Sequence, residues 1–416
     1  MPRRVAVTGI GLVTPVGIGT EETWRALLGG VSGVAPITRF DAGEFSTRFA
    51  GEVKAFEPTR WISAREARSS MSDRFIQFAM AAGTMAMEDA GLVFDGELGE
   101  RSGCFIGSGM GGVATLESTH LALQAKGPRH GISPFFVTQI IINLAAGQLS
   151  IKYGAKGPCY GQVSACSSGA NAIGDAFRLI QRGEVDAMIC GGSEAVVTPL
   201  GIGGFAAMRA LSTRNDAPAQ ACRPFDLDRD GFVLSEGAGI LVLEELEHAK
   251  QRGARIHAVL EGYASNADAH HITAPSEGGE GVQRCMRAAL ADAGLGVESI
   301  GYINAHGTST KMNDATETLA IKQVFGGHAR KLMVSSTKSM TGHLLGAAGG
   351  VEAAFTALAV GRAQIPPTIN YTTPDPECDL DYVPNVARDV LVGHALTNSF
   401  GFGGANACLI FGRPEL

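Results

Sequence analysis

The chain has 416 residues, 45% of them hydrophobic and 18% charged, with a formal net charge of −7. That composition supplies a large globular core and leaves no overall basic charge for nucleic acid or an anionic membrane surface. Its eight cysteines include no Cys-x-x-Cys pair, which argues against a disulfide framework and for free thiols in a cytoplasmic setting.

Met1 to Gly9 pairs basic residues with only a short apolar run, so it reads as a first strand over Arg4–Thr8 rather than a leader. Further strands are predicted at Cys104–Gly107, Ala187–Cys190, Ile240–Glu244, Gly301–Ala305 and Leu332–Ser335, with helical patterns between many of them. This alternation predicts a layered α/β protein. Leu344 to Val360 is the least polar long stretch, but Glu352 and its many Gly and Ala residues mark a buried helix, not a membrane span.

The two parts of the chain echo each other. An amphipathic helix over Phe75–Leu92 ends in Asp89-Ala90-Gly91-Leu92 and is followed by a strand and Gly107-Ser108-Gly109. A second helix, Val282–Leu295, ends in Asp292-Ala293-Gly294-Leu295 and is followed by a strand and Ala305-His306-Gly307. Each part then offers a small-residue turn, Ser164–Gly169 or Ser336–His343, before a helix rich in small residues. The matched order predicts a duplication with its boundary near Arg255, giving halves 1–255 and 256–416. The surplus of the first half, roughly Met110–Gln139 and Thr198–Phe232, reads as insertions capping one side.

Cys166 lies between a strand-like segment, Gly161–Ala165, and a helix beginning near Gly169. A helix N-terminus carries partial positive charge, which favours thiolate, the nucleophilic form. The competing reading is a structural cysteine like Cys104, Cys190 or Cys408 in their apolar strands. His306 and His343 each stand in a Gly-containing turn after a strand, where functional groups of open α/β sheets gather. A Cys/His/His metal site is the rival, although no close-spaced ligand pair supports it. Lys338 and Glu352 flank His343 on apolar segments, so they form either an ion pair beneath a site or a structural bridge. The Gly-rich turn Asn398–Asn406 is of a kind that places backbone N–H groups where an oxyanion or a phosphate can sit. Neither it nor Gly107–Gly112 has the Lys-Ser/Thr ending of a phosphate-binding loop, which argues against a nucleotide.

Together these runs resemble the β-ketoacyl-[acyl carrier protein] synthases, closest to type II. The resemblance is carried by Val5–Gly11, Ser164–Gly169, Asn304–Thr310, Ser335–Gly349 and Asn398–Asn406, with Ile132–Val137, Arg209–Asp216 and Asp228–Val233 in support. It extends over essentially the whole chain. It implies the thiolase fold, two βαβαβαββ halves in five αβαβα layers, and a homodimer. It also implies a decarboxylative condensation of acyl- with malonyl-acyl carrier protein in fatty acid elongation. Cys166 would accept the acyl chain, His306 and His343 would donate to the malonyl thioester carbonyl, and the N–H groups of Cys166 and Phe402 would hold the oxyanion. Lys338 and Glu352 match the charged pair near the second histidine, and Asp314 a supporting acid. Thr308 and Thr310 match contacts to the phosphopantetheine arm, and Phe402 the gate of the acyl pocket, which Met110 and Phe205 are expected to line. Arg65, Arg68, Arg129 and Arg209 match or neighbour carrier-docking positions. No cofactor of the enzyme's own is implied, because the phosphopantetheine belongs to the carrier protein.

The sequence departs from the family pattern at Ser167-Ser168, at Lys311-Met312, at Ala405 and over Arg68–Asp73, a stretch that bears on carrier docking. The alternatives are a ketosynthase of a specialised polyketide pathway, a non-catalytic chain-length partner, which would lack the nucleophile, and thiolase-type or initiating enzymes. Thiolases use a second cysteine near the C-terminus and initiators a Cys-His-Asn set, whereas here the third position is His343 and Cys408 sits in an apolar strand.

Overall fold

The computed structural model describes residues 2–64 and 73–414. Arg65 and Arg68, expected at the carrier-docking surface, lie outside the described residues.

The first half contains β1 (Val5–Thr14), α1 (Arg74–Ala90), β2 (Ser102–Gly107), α2 (Leu144–Tyr153), β3 (Cys159–Gln162), α3 (Ser168–Gln181), β4 (Ala187–Glu194) and β5 (Gly237–Glu245). The second contains β6 (Ala258–Ala267), α4 (Glu280–Ala293), β7 (Ile300–Asn304), α5 (Lys311–Phe325), β8 (Met333–Ser335), α6 (Ala348–Arg362), β9 (His394–Gly401) and β10 (Ala405–Gly412). Each half is thus βαβαβαββ. The strand order is β3-β2-β4-β5-β1 in one half and β8-β7-β9-β10-β6 in the other. In both, the fifth strand of the half is antiparallel to its two neighbours. The halves join where β1 pairs with β6, Val5 opposite Leu260 and Val7 opposite Ala258. This is the thiolase architecture.

The repeated Asp-Ala-Gly-Leu now has a physical reason. Gly91 and Gly294 close α1 and α4 in the left-handed region, at φ 58° and 67°. Two residues earlier, Asp89 accepts the Ile10 N–H at 2.9 Å, and Asp292 accepts the Tyr263 N–H at 2.9 Å. Ile10 and Tyr263 occupy the same register of the first strand of each half. One residue before them, a Cβ on Gly9 would meet the Ala86 carbonyl at 2.1 Å, and one on Gly262 the Ala289 carbonyl at 2.7 Å. The same strand–helix contact has been built twice. It also explains why β1 runs past the predicted Thr8: its glycines lie under α1, and all ten of its residues are buried.

Helices α1 and α2 cover the outer face of the first sheet, α4 and α5 lie against the second, and α3 and α6 fill the layer between. The central layer is close because its residues are small. A Cβ on Gly169 would lie 2.6 Å from Gly350 N, and one on Gly350 would lie 2.5 Å from both Gly192 N and Gly239 O. The two insertions meet through Glu117, whose carboxylate accepts from Thr198 Oγ1 and Leu200 N, both at 2.7 Å. Gly350→Ala is expected to lower stability by about 1–3 kcal/mol through overpacking against backbone. Gly147→Ala, in open space on α2, should leave stability unchanged or raise it. Thermal unfolding of the two variants checks the contrast.

Candidate active site

Cys166 sits in the turn between β3 and α3. The residue before it, Ala165, adopts φ 49°, a left-handed conformation that costs energy in a residue with a Cβ. A local network fixes the turn. Ser168 Oγ donates to Ala165 O at 2.7 Å and accepts from Ser164 N at 2.9 Å, and Asn171 Nδ2 donates to Ser164 Oγ at 2.6 Å. The Ser167 hydroxyl lies 2.9 Å from Ser399 O and 2.7 Å from Ala405 O, which binds the turn to the β9–β10 hairpin. Both serines that depart from the family pattern are therefore structural ties. A Cβ on Gly401 would lie 3.1 Å from Cys166 N, so that hairpin passes directly beside the nucleophile. The Phe402 N–H is directed at the sulfur.

His343 brings its Nε2 to 3.1 Å from Cys166 Sγ. Its Nδ1 accepts the Leu345 N–H at 3.3 Å, so the neutral ring carries its proton on Nε2, facing the cysteine. The His306 ring stands nearly perpendicular, 86°, with centroids 5.3 Å apart. Its Nδ1 lies 3.4 Å from Lys338 Nζ. An ammonium only donates, so His306 also presents an Nε2 proton. Burial, with the Lys338 charge beside them, pushes both histidines well below the usual imidazole range. At neutral pH the site therefore holds two uncharged donors.

Lys338 is buried and paired with Glu352. Burial raises the Glu352 carboxyl to about 7, against the pull of Lys338. Of the two readings of this pair, the ion pair beneath the site is the one present, since the same ammonium reaches His306.

The thiol environment differs from the expectation. Burial pushes Cys166 up to about 12, opposed by Lys338 and the Phe402 N–H, while Glu194 and Glu352 add to the rise. Desolvation disfavours thiolate here more strongly than the groups around it favour it.

A cavity of about 460 Å³ opens over these groups, lined by Cys166, His306, His343, Phe205, Thr308, Thr310 and Phe402 among others. The Thr308 and Thr310 hydroxyls are 2.9 Å apart. Phe402, 38% exposed, stands 6.5 Å from Phe205 between their ring centroids. Asp314 is not on the reacting side. It accepts the Phe225 N–H at 2.8 Å and lies 3.6 Å from the buried Arg229 guanidinium. Arg209 is exposed at the cavity rim, whereas Arg129 is exposed away from the lining. Met110 departs from expectation: it is 43% exposed and does not line the cavity. Its backbone N–H bonds Glu194 at 3.2 Å.

Three supports were not foreseen. Glu317 accepts the His306 and Gly307 N–H groups at 2.9 and 2.8 Å and Asn398 Nδ2 at 3.0 Å. Phe232 packs edge-on to His343 and Phe400 to His306, each with centroids 5.4 Å apart. For Glu317 a signal existed: with Asp314 it forms an acidic pair at i, i+3 on the buried face of α5. Cys408 is buried and donates to Asn398 Oδ1 at 3.1 Å, away from the cavity. Among the described residues no group of three or more His, Cys, Asp or Glu side chains is spaced to hold a metal.

Both halves of the chain match known families. The N-terminal domain model of β-ketoacyl synthases matches residues 2–249, and the C-terminal domain model matches 257–372. The chain belongs to the β-ketoacyl synthase family. It is 53% identical over 413 residues to the 3-oxoacyl-[acyl-carrier-protein] synthase 2 of Synechocystis, covering 99% of each chain. Among solved structures it is similar to the ishigamide ketosynthase/chain length factor, with TM-score 0.92, 39% identity and coverage of 99% of this chain and 100% of the other. It is also similar to a type II polyketide ketosynthase solved in complex with its acyl carrier protein, with TM-score 0.88, 38% identity and coverage of 99% and 100%.

Lys338→Met removes the cation that opposes burial at Cys166, so the iodoacetamide reactivity of the thiol should move to higher pH. A pH series of the alkylation rate, with Cys166→Ala as background, measures this. An unchanged profile would show that Lys338 does not act on the sulfur.

Proposed function

We propose that the protein condenses acyl chains with malonyl units, both as thioesters of acyl carrier protein, and so elongates fatty acyl chains. The observation that carries this reading is the approach of His343 Nε2 to Cys166 Sγ at 3.1 Å, beside a second neutral Nε2–H donor on His306. Supporting it are 53% identity to a 3-oxoacyl-[acyl-carrier-protein] synthase 2 and the similar ketosynthase solved with its carrier protein.

In the first half-reaction Cys166 Sγ attacks the acyl thioester carbonyl. The C–S bond to the carrier breaks, and the thiol proton leaves with the departing phosphopantetheine thiolate. The tetrahedral oxyanion lies toward the N–H groups of Cys166 and Phe402, donors fixed by the β9–β10 hairpin. In the second, malonyl-carrier enters past Thr308 and Thr310. Its thioester carbonyl accepts from His306 and His343, the bond to the carboxylate breaks as CO₂ leaves, and the resulting enolate carbon attacks the Cys166 thioester. The products are 3-oxoacyl-carrier and Cys166, which regains a proton. Neutral imidazoles suit this task, because they stabilise the enolate oxygen by donation without protonating it. The carrier's acidic surface would meet Arg209 at the rim. The identity to the fatty-acid enzyme exceeds that to the polyketide ketosynthases, which favours elongation of fatty acyl chains over the specialised reading.

A second copy is part of the reading. Strand β3 is a sheet edge with unpaired backbone groups. Around it Tyr160 and Val163, and in the nearby insertion Phe135 and Val137, are exposed apolar side chains that a homodimer would cover. Light scattering should give twice the chain mass, and Val163→Lys should shift the population toward monomer.

His306→Ala and His343→Ala are expected to reduce malonyl-carrier decarboxylation by about 100-fold or more, the scale of losing a preorganised donor, and to spare acyl transfer to Cys166 relative to it. Separate radiolabel assays of the two half-reactions check this. Equal loss of both would contradict the division of labour.

A further inference from the structure

The Gly-rich run Gly107–Gly112 has no part in the chemistry above, yet it is built as an anion cradle. The occupant is the protein's own Glu194, the last residue of β4, wholly buried. Its Oε1 accepts from Ser108 Oγ at 2.8 Å and Met110 N at 3.2 Å, and its Oε2 from Gly109 N at 2.7 Å and Gly346 N at 3.0 Å. All four partners are neutral donors. The glycines are required by this carboxylate: a Cβ on Gly346 would lie 2.7 Å from Glu194 Oε2 and 2.2 Å from Gly109 N, and one on Gly109 would lie 2.9 Å from the same oxygen. Four N–H and O–H donors converging on one site hold an anion as a nest holds a phosphate.

The cradle spans both halves. Ser108, Gly109 and Met110 follow the second strand of the first half. Gly346 belongs to the turn after His343, one residue beyond the Leu345 N–H that holds His343 Nδ1. The second half has the same device, since Glu317 grips the His306 and Gly307 N–H groups after its own second strand. The charged and titratable groups acting on Cys166 are Lys338, Glu194 and Glu352, with His343 in contact.

We propose that Glu194 is a positioning residue of the condensing site: its carboxylate clips the Ser108–Met110 turn to Gly346 and so holds the Leu345 N–H against His343, keeping the Nε2 proton toward Cys166. The proposal rests on the condensing reading for its consequence in turnover. It follows that Glu194 acts on the histidine step and, through its charge, on the thiol.

The test uses the full-length enzyme with Glu194→Gln, which keeps length and loses charge, and Glu194→Asp, which keeps charge and loses reach. Both should slow malonyl decarboxylation about tenfold or more, the effect of losing hydrogen bonds to a charged group, with a smaller effect on acyl transfer. Only Glu194→Gln should move the iodoacetamide profile of Cys166 to lower pH, opposite in sign to Lys338→Met. Alkylation needs no carrier substrate, so this arm stands apart from the condensing reading. Ser108→Ala removes a single donor and should show the same decarboxylation bias at smaller size, even where the Glu194 variants fold poorly. Wild-type decarboxylation in both Glu194 variants, or equal loss of both half-reactions with an unmoved Cys166 profile, would overturn the proposal.

Discussion

The close crossing of α3 and α6 is the constraint on which the site depends. Each helix begins just after a turn that carries a reacting group, Cys166 before α3 and His343 before α6. Their N-terminal ends meet backbone to backbone, through Gly169 against Gly350 and Gly349 against Ala170, with Gly192 and Gly239 of the first sheet lying against α6. No side chain fits between them. That contact makes a nucleophile and a donor 177 residues apart in sequence neighbours at 3.1 Å. Interiors packed at this density transmit small displacements, so geometry at the sulfur depends on small residues far from any substrate.

Around that crossing, buried charges are used sparingly and in two ways. Lys338 and Glu352 form an ion pair whose ammonium also fixes the His306 tautomer. Glu194 and Glu317 have no cation among the partners named above and are held by N–H and hydroxyl donors of the turns after the second strand of each half, joined by the Gly346 N–H and the Asn398 amide. A buried carboxylate is costly unless its oxygens are satisfied. These two are satisfied by the turns that need fixing. The two halves thus share a framework and differ in what they present, a Gly-rich turn in one and His306 in the other.

Much of this was legible in the sequence because it is local. The Asp-Ala-Gly-Leu repeat signalled equivalent helix ends, and the structure adds that Asp89 and Asp292 tie those ends to the same strand register. The strand-end positions of His306 and His343 followed from the α/β alternation. The rest depends on long-range placement. Nothing near Met110 in the chain tells that its backbone N–H is held by Glu194, 84 residues away. The local cue at Cys166, a helix start, favours thiolate, whereas the burial that opposes it comes from apolar residues far along the chain, among them Val196, Phe232 and Leu345. The Gly-rich run at Gly107 lacks the ending of a phosphate-binding loop, and only the fold shows that it cradles an anion, the Glu194 carboxylate.

The central claim is that Cys166 is the acyl acceptor and His343 its immediate partner. Intact-mass measurement of the purified enzyme after incubation with acyl-carrier protein tests it most directly. The account predicts one added acyl group per chain, located on the peptide containing Cys166 and lost in Cys166→Ala. Acylation of Cys166→Ala at the wild-type rate would contradict it.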